Sequence, residues 1–303
     1  MLELNINNET SELKTVMLGN SEDFGKTPLP NECFDPKSLE NVQNGTYPTQ
    51  YDVIHQMNLF HQILLKYKVD VIIPKNIEFL NQIFARDIAC VIGKKLIIPN
   101  IINDRSMEVQ GLLENKVMYD LEFLKMPADT RLEGGDILLY NDFIFIGCSS
   151  ESDFNKYKVA RTNYAAVEFI KSNFPEKKIY SFELIKSDTD ALSNTLHLDC
   201  CFQPIGQRMA IICVEGFKNK EDVIFLEELF GIDNLIYISR HEMYEMAANV
   251  FSISENIIVS DVRFERLNQK LYERGFIVEQ IQYGEIAKMG GLLRCSTMPL
   301  LRK

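Results

Sequence analysis

The C-terminal stretch "GGLLRCSTMPLLRK", residues 290–303, decides which fold the sequence predicts. Chain ends usually fray, but this one is apolar and opens on a glycine pair, which indicates a buried strand. Such a strand needs a partner, and "LKTVMLGN" (residues 13–20) is the matching apolar run near the N-terminus. We therefore expect the two ends of the chain to pair, with Cys295 at the start of the last strand.

Four other segments repeat a pattern of strand, short turn and strand, each followed by a helical pattern and one more apolar strand. These segments begin at Arg86, Gly134, His197 and Ala247. A fifth copy is divided between the termini, and its helix, from about Tyr51 to Tyr67, has apolar residues at intervals of three and four. Five such units predict an α/β fold, a five-bladed pseudo-symmetric α/β propeller whose last unit is closed by the two termini.

The ring arrangement favours a single domain over residues 1–303, because no unit can bury its apolar face alone. Residues 20–49 interrupt the repeat and are rich in Pro, Asn and Asp, which mark turns. A loop of this length is either a lid over a binding site or a surface connection without function.

Composition narrows the classes of partner. The formal net charge of −11 over 303 residues disfavours nucleic acid or an anionic membrane as the main partner and suits a cationic small molecule. The sequence has no apolar run long enough for a membrane span and no leader-like start.

Seven cysteines without a CxxC pair indicate reduced thiols, so we expect a cytoplasmic protein. No P-loop, GxGxxG or ligand-spaced His/Cys cluster is present, so we expect no cofactor and no metal.

Reactive side chains recur where the first strand of each unit begins. Successive units present Asp87, Glu133 within "EGGD", His197 with Asp199, then Asn249, and finally Cys295. Equivalent positions in a ring converge on its axis, so a thiol, an imidazole and carboxylates would meet there. Taken singly, each has a structural explanation, since cysteines are often small core residues and a histidine can be a satisfied core residue.

In this order, "FARD", "LEGGD", "LHLD" and "GGLLRCSTMPLLR" resemble the guanidine-modifying (pentein) superfamily, over nearly the whole chain. That superfamily includes arginine deiminases, dimethylarginine dimethylaminohydrolases and amidinotransferases, all five-bladed α/β propellers. The resemblance implies that Cys295 is a nucleophile that forms a covalent thiouronium intermediate, with His197 as general acid and base. It also implies that Glu133 orients the histidine and that Asp87 and Asp199 hold the guanidinium.

Two further residues match the way in which arginine deiminases hold the substrate α-carboxylate. Asn81 lies six residues before Asp87, and Arg161 lies in "ARTN". The segment from Gly147 to Arg161 is longer than is usual in the superfamily, so a salt-bridged surface arginine is the alternative for Arg161. Carboxylates around Cys295 should raise the pKa of its thiol, and a bound guanidinium should lower it again.

Three functions remain open at this point. The first is a hydrolase of the arginine deiminase type, which acts on arginine or a related guanidino compound. The second is an amidinotransferase that passes the amidino group to an acceptor amine, and the third is a propeller that only binds a partner. The hydrolase is favoured because "EGGD" and "RCSTMPL" resemble the hydrolases. The presence of all five reactive residues disfavours a protein that only binds a partner. The oligomeric state is a separate question, and a homo-oligomer is left open.

Overall fold

The computed structural model describes residues 2–119 and 121–303. Within them, fifteen strands form five three-stranded sheets. In chain order the strands are Leu13–Leu18 (β1), Asp70–Ile72 (β2), Cys90–Ile92 (β3), Lys95–Ile98 (β4), Phe123–Lys125 (β5), Ile137–Tyr140 (β6), Phe143–Cys148 (β7), Lys178–Glu183 (β8), Phe202–Ile205 (β9), Met209–Ile212 (β10), Leu235–Tyr237 (β11), Phe251–Ser254 (β12), Ile257–Asp261 (β13), Ile277–Ile281 (β14) and Thr297–Arg302 (β15).

The helices of the described residues connect and cover these sheets. They are Pro36–Gln43 (α1), Gln50–Lys66 (α2), Ala85–Ile88 (α3), Glu108–Leu113 (α4), Glu151–Lys156 (α5), Tyr164–Asn173 (α6), Lys220–Phe230 (α7), Arg240–Tyr244 (α8), Glu265–Glu273 (α9) and Gly284–Ala287 (α10). None of the helices in residues 2–119 and 121–303 combines the length and the apolar character that a membrane span requires.

All five sheets share one plan. An antiparallel pair of strands is followed by a helix, and the chain then returns to place a third strand parallel to the middle one. The sheet orders are β3-β4-β5, β6-β7-β8, β9-β10-β11, β12-β13-β14 and β15-β1-β2. The prediction of a five-bladed α/β propeller is therefore confirmed.

The two ends of the chain close the ring, as predicted. Strand β1 pairs antiparallel with β15, with Leu13 opposite Arg302 and Leu18 opposite Thr297, and it pairs parallel with β2 on its other side. Helix α2 packs against this sheet through one apolar stripe and is capped by Thr49, whose side chain accepts a hydrogen bond from the Asp52 amide. Its buried apolar residues are Val53, Met57, Phe60 and Leu64.

The reactive residues lie in tight turns just before the first strands, not at the strand starts that the sequence predicted. Strand β15 begins at Thr297, and Cys295 belongs to the preceding turn, in which the Ser296 amide donates to the Leu292 carbonyl at 3.0 Å. Glu133 and His197 each directly precede a single 3₁₀ turn, and Asp87 lies in α3. Such a turn satisfies its own backbone groups, so the strand can start later and the turn residues can aim their side chains inward.

Candidate active site

Five predicted side chains meet where the turns of the units converge. Cys295, His197, Glu133, Asp87 and Asp199 are all at least 97 % buried. The Cys295 Sγ lies 3.7 Å from Asp199 Oδ2, and His197 Nε2 lies 2.8 Å from Glu133 Oε2. On the other side of the imidazole, Nδ1 lies 3.6 Å from Asp87 Oδ1.

A cavity of about 510 Å³ opens onto this cluster, with Cys295 and Asp87 in its wall. Residues 20–49 form much of the opposite wall, through side chains that include Phe34, Asp35 and Tyr47. Gly291 packs closely against Cys295: a Cβ added there would lie 2.5 Å from the Phe84 ring and 2.9 Å from the Cys295 Cβ. A larger residue at position 291 would therefore displace the thiol or the ring.

The glycine pair of "EGGD" lets the polar groups approach the backbone closely. A Cβ at Gly135 would lie 2.7 Å from His197 Nδ1 and 2.9 Å from Asp87 Oδ1. A Cβ at Gly134 would lie 2.0 Å from the Arg86 carbonyl oxygen. Contacts this short do not occur for a real side chain, so both glycines are needed to bring the imidazole and the carboxylate together.

His197 is held in its charged form. Burial opposes the charge, but Asp87 and the hydrogen bond that Nε2 donates to Glu133 outweigh it and raise the pKa of His197 to about 9. The imidazole is therefore protonated at neutral pH and can act as a proton donor.

Glu133 has the opposite shift. Burial alone would raise its pKa, but Arg161, His197 and Arg105 hold it well below the usual range. Arg161 Nη1 lies 2.9 Å from both Glu133 oxygens, and Arg105 Nη1 lies 3.4 Å from one of them. Glu133 is thus a permanent anion beside the imidazolium.

Burial raises the pKa of the Cys295 thiol, and Asp199 and Asp87 raise it further. The direction agrees with the sequence-based expectation, although burial contributes more than the carboxylates do. In this environment the sulfur is a protonated thiol at neutral pH.

The two aspartates are each bound on one oxygen by an arginine of the chain. Arg105 Nη1 contacts Asp87 Oδ2 at 2.8 Å, and Arg294 Nη1 contacts Asp199 Oδ2 at 2.8 Å. Asp87 Oδ1 is buried and accepts no hydrogen bond from the described residues. Among the described residues the His197 imidazolium lies 3.6 Å from this oxygen, which keeps an unused acceptor position.

Comparison with known proteins agrees with this geometry. The family model described as "N,N dimethylarginine dimethylhydrolase, eukaryotic" matches residues 37–302. The chain belongs to this family. Together with the five-unit fold, this makes it a guanidino-modifying enzyme of the pentein superfamily.

Two relatives extend the comparison for this dimethylarginine dimethylhydrolase family member. The uncharacterized protein YkgA of Bacillus subtilis is 27% identical over 295 residues, which cover 97% of this chain and 94% of YkgA. An arginine deiminase of Bacillus cereus is 23% identical over 264 residues, which cover 74% of this chain. That alignment covers 62% of the deiminase, so the chain spans less than two thirds of the deiminase's length.

Solved structures share the fold at low sequence identity. The N-terminal domain of ArgZ, an arginine dihydrolase from cyanobacteria, superposes with a TM-score of 0.79 at 18% identity, covering 95% of this chain and 98% of that domain. SxtG, an amidinotransferase from Microseira wollei, superposes with a TM-score of 0.76 at 17% identity, covering 99% of this chain and 97% of SxtG. At such identities the similarity establishes the fold alone.

Arg161 and Asn81 both line the cavity of this pentein. Arg161 is 2 % exposed, so the alternative of a surface arginine is wrong. Besides its contacts with Glu133, its Nη2 donates to the Phe34 carbonyl oxygen at 2.6 Å, which ties it to the 20–49 segment. Asn81 is half-buried, and its Oδ1 accepts a hydrogen bond from the Ile83 amide at 3.1 Å.

Sequence reasoning missed Arg105 and Glu108. Arg105 bridges Asp87 and Glu133, while Glu108 holds the rest of its guanidinium with two contacts of 2.8 Å. An arginine and a glutamate three residues apart are common at the start of any helix, so the spacing carried no signal.

A metal ion would have one set of ligands here. Asp87, Glu133 and His197 offer atoms within 4.8 Å of one another. However, Arg105 and Arg161 already donate to these carboxylates, and the histidine is protonated. A divalent metal ion would have to displace the two arginine side chains from the carboxylates and the proton from His197. That no metal is used remains a prediction.

Proposed function

We propose that this pentein is a hydrolase that acts on the guanidino group of arginine or a related compound, such as a methylated arginine, through Cys295. The observation that carries the proposal is the arrangement at the inner end of one cavity. The Cys295 thiol and Asp87 lie in the cavity wall, and the His197 imidazolium lies 3.6 Å from Asp87 Oδ1. The hydrolase names of the family model and of the deiminase relative favour this class.

The substrate guanidinium binds between Asp87 and Asp199. A planar, permanently charged group prefers carboxylate partners, and Asp87 Oδ1 is free to accept from it. Asp199 lies beside the sulfur, so its partner nitrogen would bring the central carbon close to Cys295. The positive charge of the substrate offsets the two carboxylates and lowers the pKa of the thiol.

The first half-reaction uses the proton on His197. As the cationic substrate binds, the Cys295 thiol loses its proton to solvent, and the resulting thiolate attacks the guanidinium carbon and forms a C–S bond. The C–N bond to the departing amine then breaks, and the amine takes the imidazolium proton as it leaves. The product of this step is a thiouronium on Cys295, and His197 is left neutral.

The second half-reaction returns that proton. The neutral imidazole takes a proton from a water molecule, whose oxygen attacks the thiouronium carbon. The C–S bond then breaks and the hydroxyl proton of the tetrahedral adduct passes to the departing sulfur, which releases the ureido product and the Cys295 thiol. Glu133 stabilises the imidazolium that forms again, at a distance of 2.8 Å.

The rest of the substrate extends along the cavity. We assign Asn81 and Arg161 to the α-carboxylate, since both side chains line this space. Residues 20–49 act as the lid over it, supported by the contact of the Phe34 carbonyl with Arg161. Both assignments follow from position in the cavity wall.

The amidinotransferase alternative shares the covalent intermediate and differs in what reaches it next. Product analysis separates the two: arginine and dimethylarginine are incubated with the protein without any acceptor amine, and the products are identified by mass spectrometry. A hydrolase forms a ureido product with repeated turnover. One burst of amine equal to the enzyme, with turnover only after another amine is added, would establish transfer instead.

A further inference from the structure

The fourth unit presents Asn249 at the position where the other units present reactive groups, and the chemistry proposed above leaves it without a role. Asn249 is fully buried and does not belong to the cavity wall. Both polar atoms of its side chain have partners. Oδ1 accepts from the Cys295 amide at 3.0 Å, and Nδ2 donates to the Asp199 carbonyl at 3.3 Å.

The backbone of Asn249 adds a third connection. Its carbonyl oxygen accepts from the Arg294 amide at 3.2 Å. Arg294 in turn holds the Asp199 carboxylate through Nη1 at 2.8 Å. One residue of the fourth unit therefore fixes the turn that carries the thiol and the turn that carries Asp199.

The carbonyl group of Cys295 is held by a different residue. Its carbonyl oxygen accepts from the Arg86 amide at 3.0 Å, next to Asp87. The thiol is thus placed between the two aspartates by one hydrogen bond on each peptide group. Of these two, only the bond to Asn249 comes from a side chain, so only that one can be removed by substitution.

We propose that Asn249 is a positioning residue, which sets the distance between the Cys295 sulfur and the guanidinium-binding Asp199 without touching the substrate. The proposal rests on the proposed function of Cys295 as nucleophile. The aspartates fix the position of the guanidinium, and attack requires the Cys295 sulfur to lie in line with its central carbon. A change in the distance between the sulfur and Asp199 therefore lowers the rate of attack more than it weakens substrate binding.

The test compares Asn249→Ala with Asn268→Ala. Asn268 is an equally buried asparagine in the same unit, and its Nδ2 donates to the Asp261 carbonyl at 2.9 Å, with no contact to Cys295. Both variants should lose stability. We expect kcat of Asn249→Ala to fall by about 10²-fold with KM nearly unchanged, as a displacement of roughly 1 Å would produce. Asn268→Ala should keep the wild-type kcat at a temperature where both are folded.

A second readout follows the thiol itself. Alkylation by iodoacetamide is measured on the tryptic peptide Cys295–Arg302, which contains a single cysteine, across a range of pH. Asn249→Asp retains an acceptor for the Cys295 amide but adds a negative charge beside the thiol, so the midpoint of alkylation should move to higher pH. In Asn268→Asp the midpoint should stay at the wild-type value.

The outcomes are distinguishable. Wild-type kcat in folded Asn249→Ala, or equal kcat losses in both alanine variants, would overturn the positioning role while leaving the hydrolase in place. If the wild type converts no guanidino compound, the proposed function fails. The alkylation measurements still test whether Asn249 positions the Cys295 thiol. An unchanged alkylation rate and midpoint in the Asn249 variants would then refute the placement of the thiol by Asn249.

Discussion

Replacing Asp87 by asparagine should lower the pKa of His197 and so weaken its hold on the proton near neutral pH. Asp87 is the largest influence that raises the pKa of His197, and its Oδ1 lies 3.6 Å from Nδ1. Asparagine has nearly the same shape, so the substitution removes the charge and leaves the packing. Arg105 loses its charged partner at position 87 but keeps its contacts with Glu108.

The magnitude follows from Coulomb's law. Two unit charges 3.6 Å apart interact by about 4.6 kcal/mol at an effective dielectric constant of about 20. At about 1.4 kcal/mol for each pKa unit, this corresponds to a shift of roughly three units. Because Arg105 already neutralises part of the Asp87 charge, we expect a smaller decrease of about 1–2 units from a starting value of about 9.

Nuclear magnetic resonance of histidine-labelled protein measures this shift directly. The chain has four histidines, and the His197→Gln variant identifies the signal of interest. The expected result is a wild-type His197 that titrates near pH 9 and an Asp87→Asn protein in which it titrates lower. A wild-type His197 that titrates near or below 6.5, or a midpoint that Asp87→Asn leaves in place, would refute the electrostatic reasoning.

Three further predictions use the same site. Cys295→Ala should abolish turnover with an unchanged melting curve, since the sulfur acts chemically; turnover in the folded variant would remove the covalent route. Arg161→Gln removes a cation from Glu133 and raises the pKa of that carboxyl, so the loss of stability in acid should begin at a higher pH, and an unmoved acid transition in urea denaturation would contradict the Arg161–Glu133 ion pair. The raised pKa of His197 stabilises the fold below about pH 6.5, and this contribution, about 3 kcal/mol, is lost as pH rises through about 9. Urea denaturation should show this component in the wild type and not in His197→Gln, and equal pH dependence of the two would disprove it.

The sequence predicted the architecture because apolar periodicity and turn residues repeat five times. The pairing of the termini followed from a tail that was too apolar to be exposed, and β1 and β15 confirm it. The same repeat identified the five converging residues, since equivalent positions of a ring meet at its axis.

What the sequence could not predict depends on contacts between units. Arg105 and Arg294 occupy one oxygen of each aspartate, and no local pattern relates residues 18 and 95 positions apart. Asn249 stood in register with the reactive residues, but its role depends on which backbone groups its amide reaches. The burial of Arg161 likewise depends on the 20–49 segment, whose path has no periodic signal.

Acid-quenched mass spectrometry of the tryptic peptide Cys295–Arg302 tests the central claim most directly. The protein is mixed with arginine or dimethylarginine, quenched within one turnover and digested. The account predicts an amidino-derived adduct on this peptide that disappears as the ureido product accumulates. Product formation without any adduct on this peptide, or with an adduct on another cysteine, would contradict the assignment of Cys295 as the nucleophile.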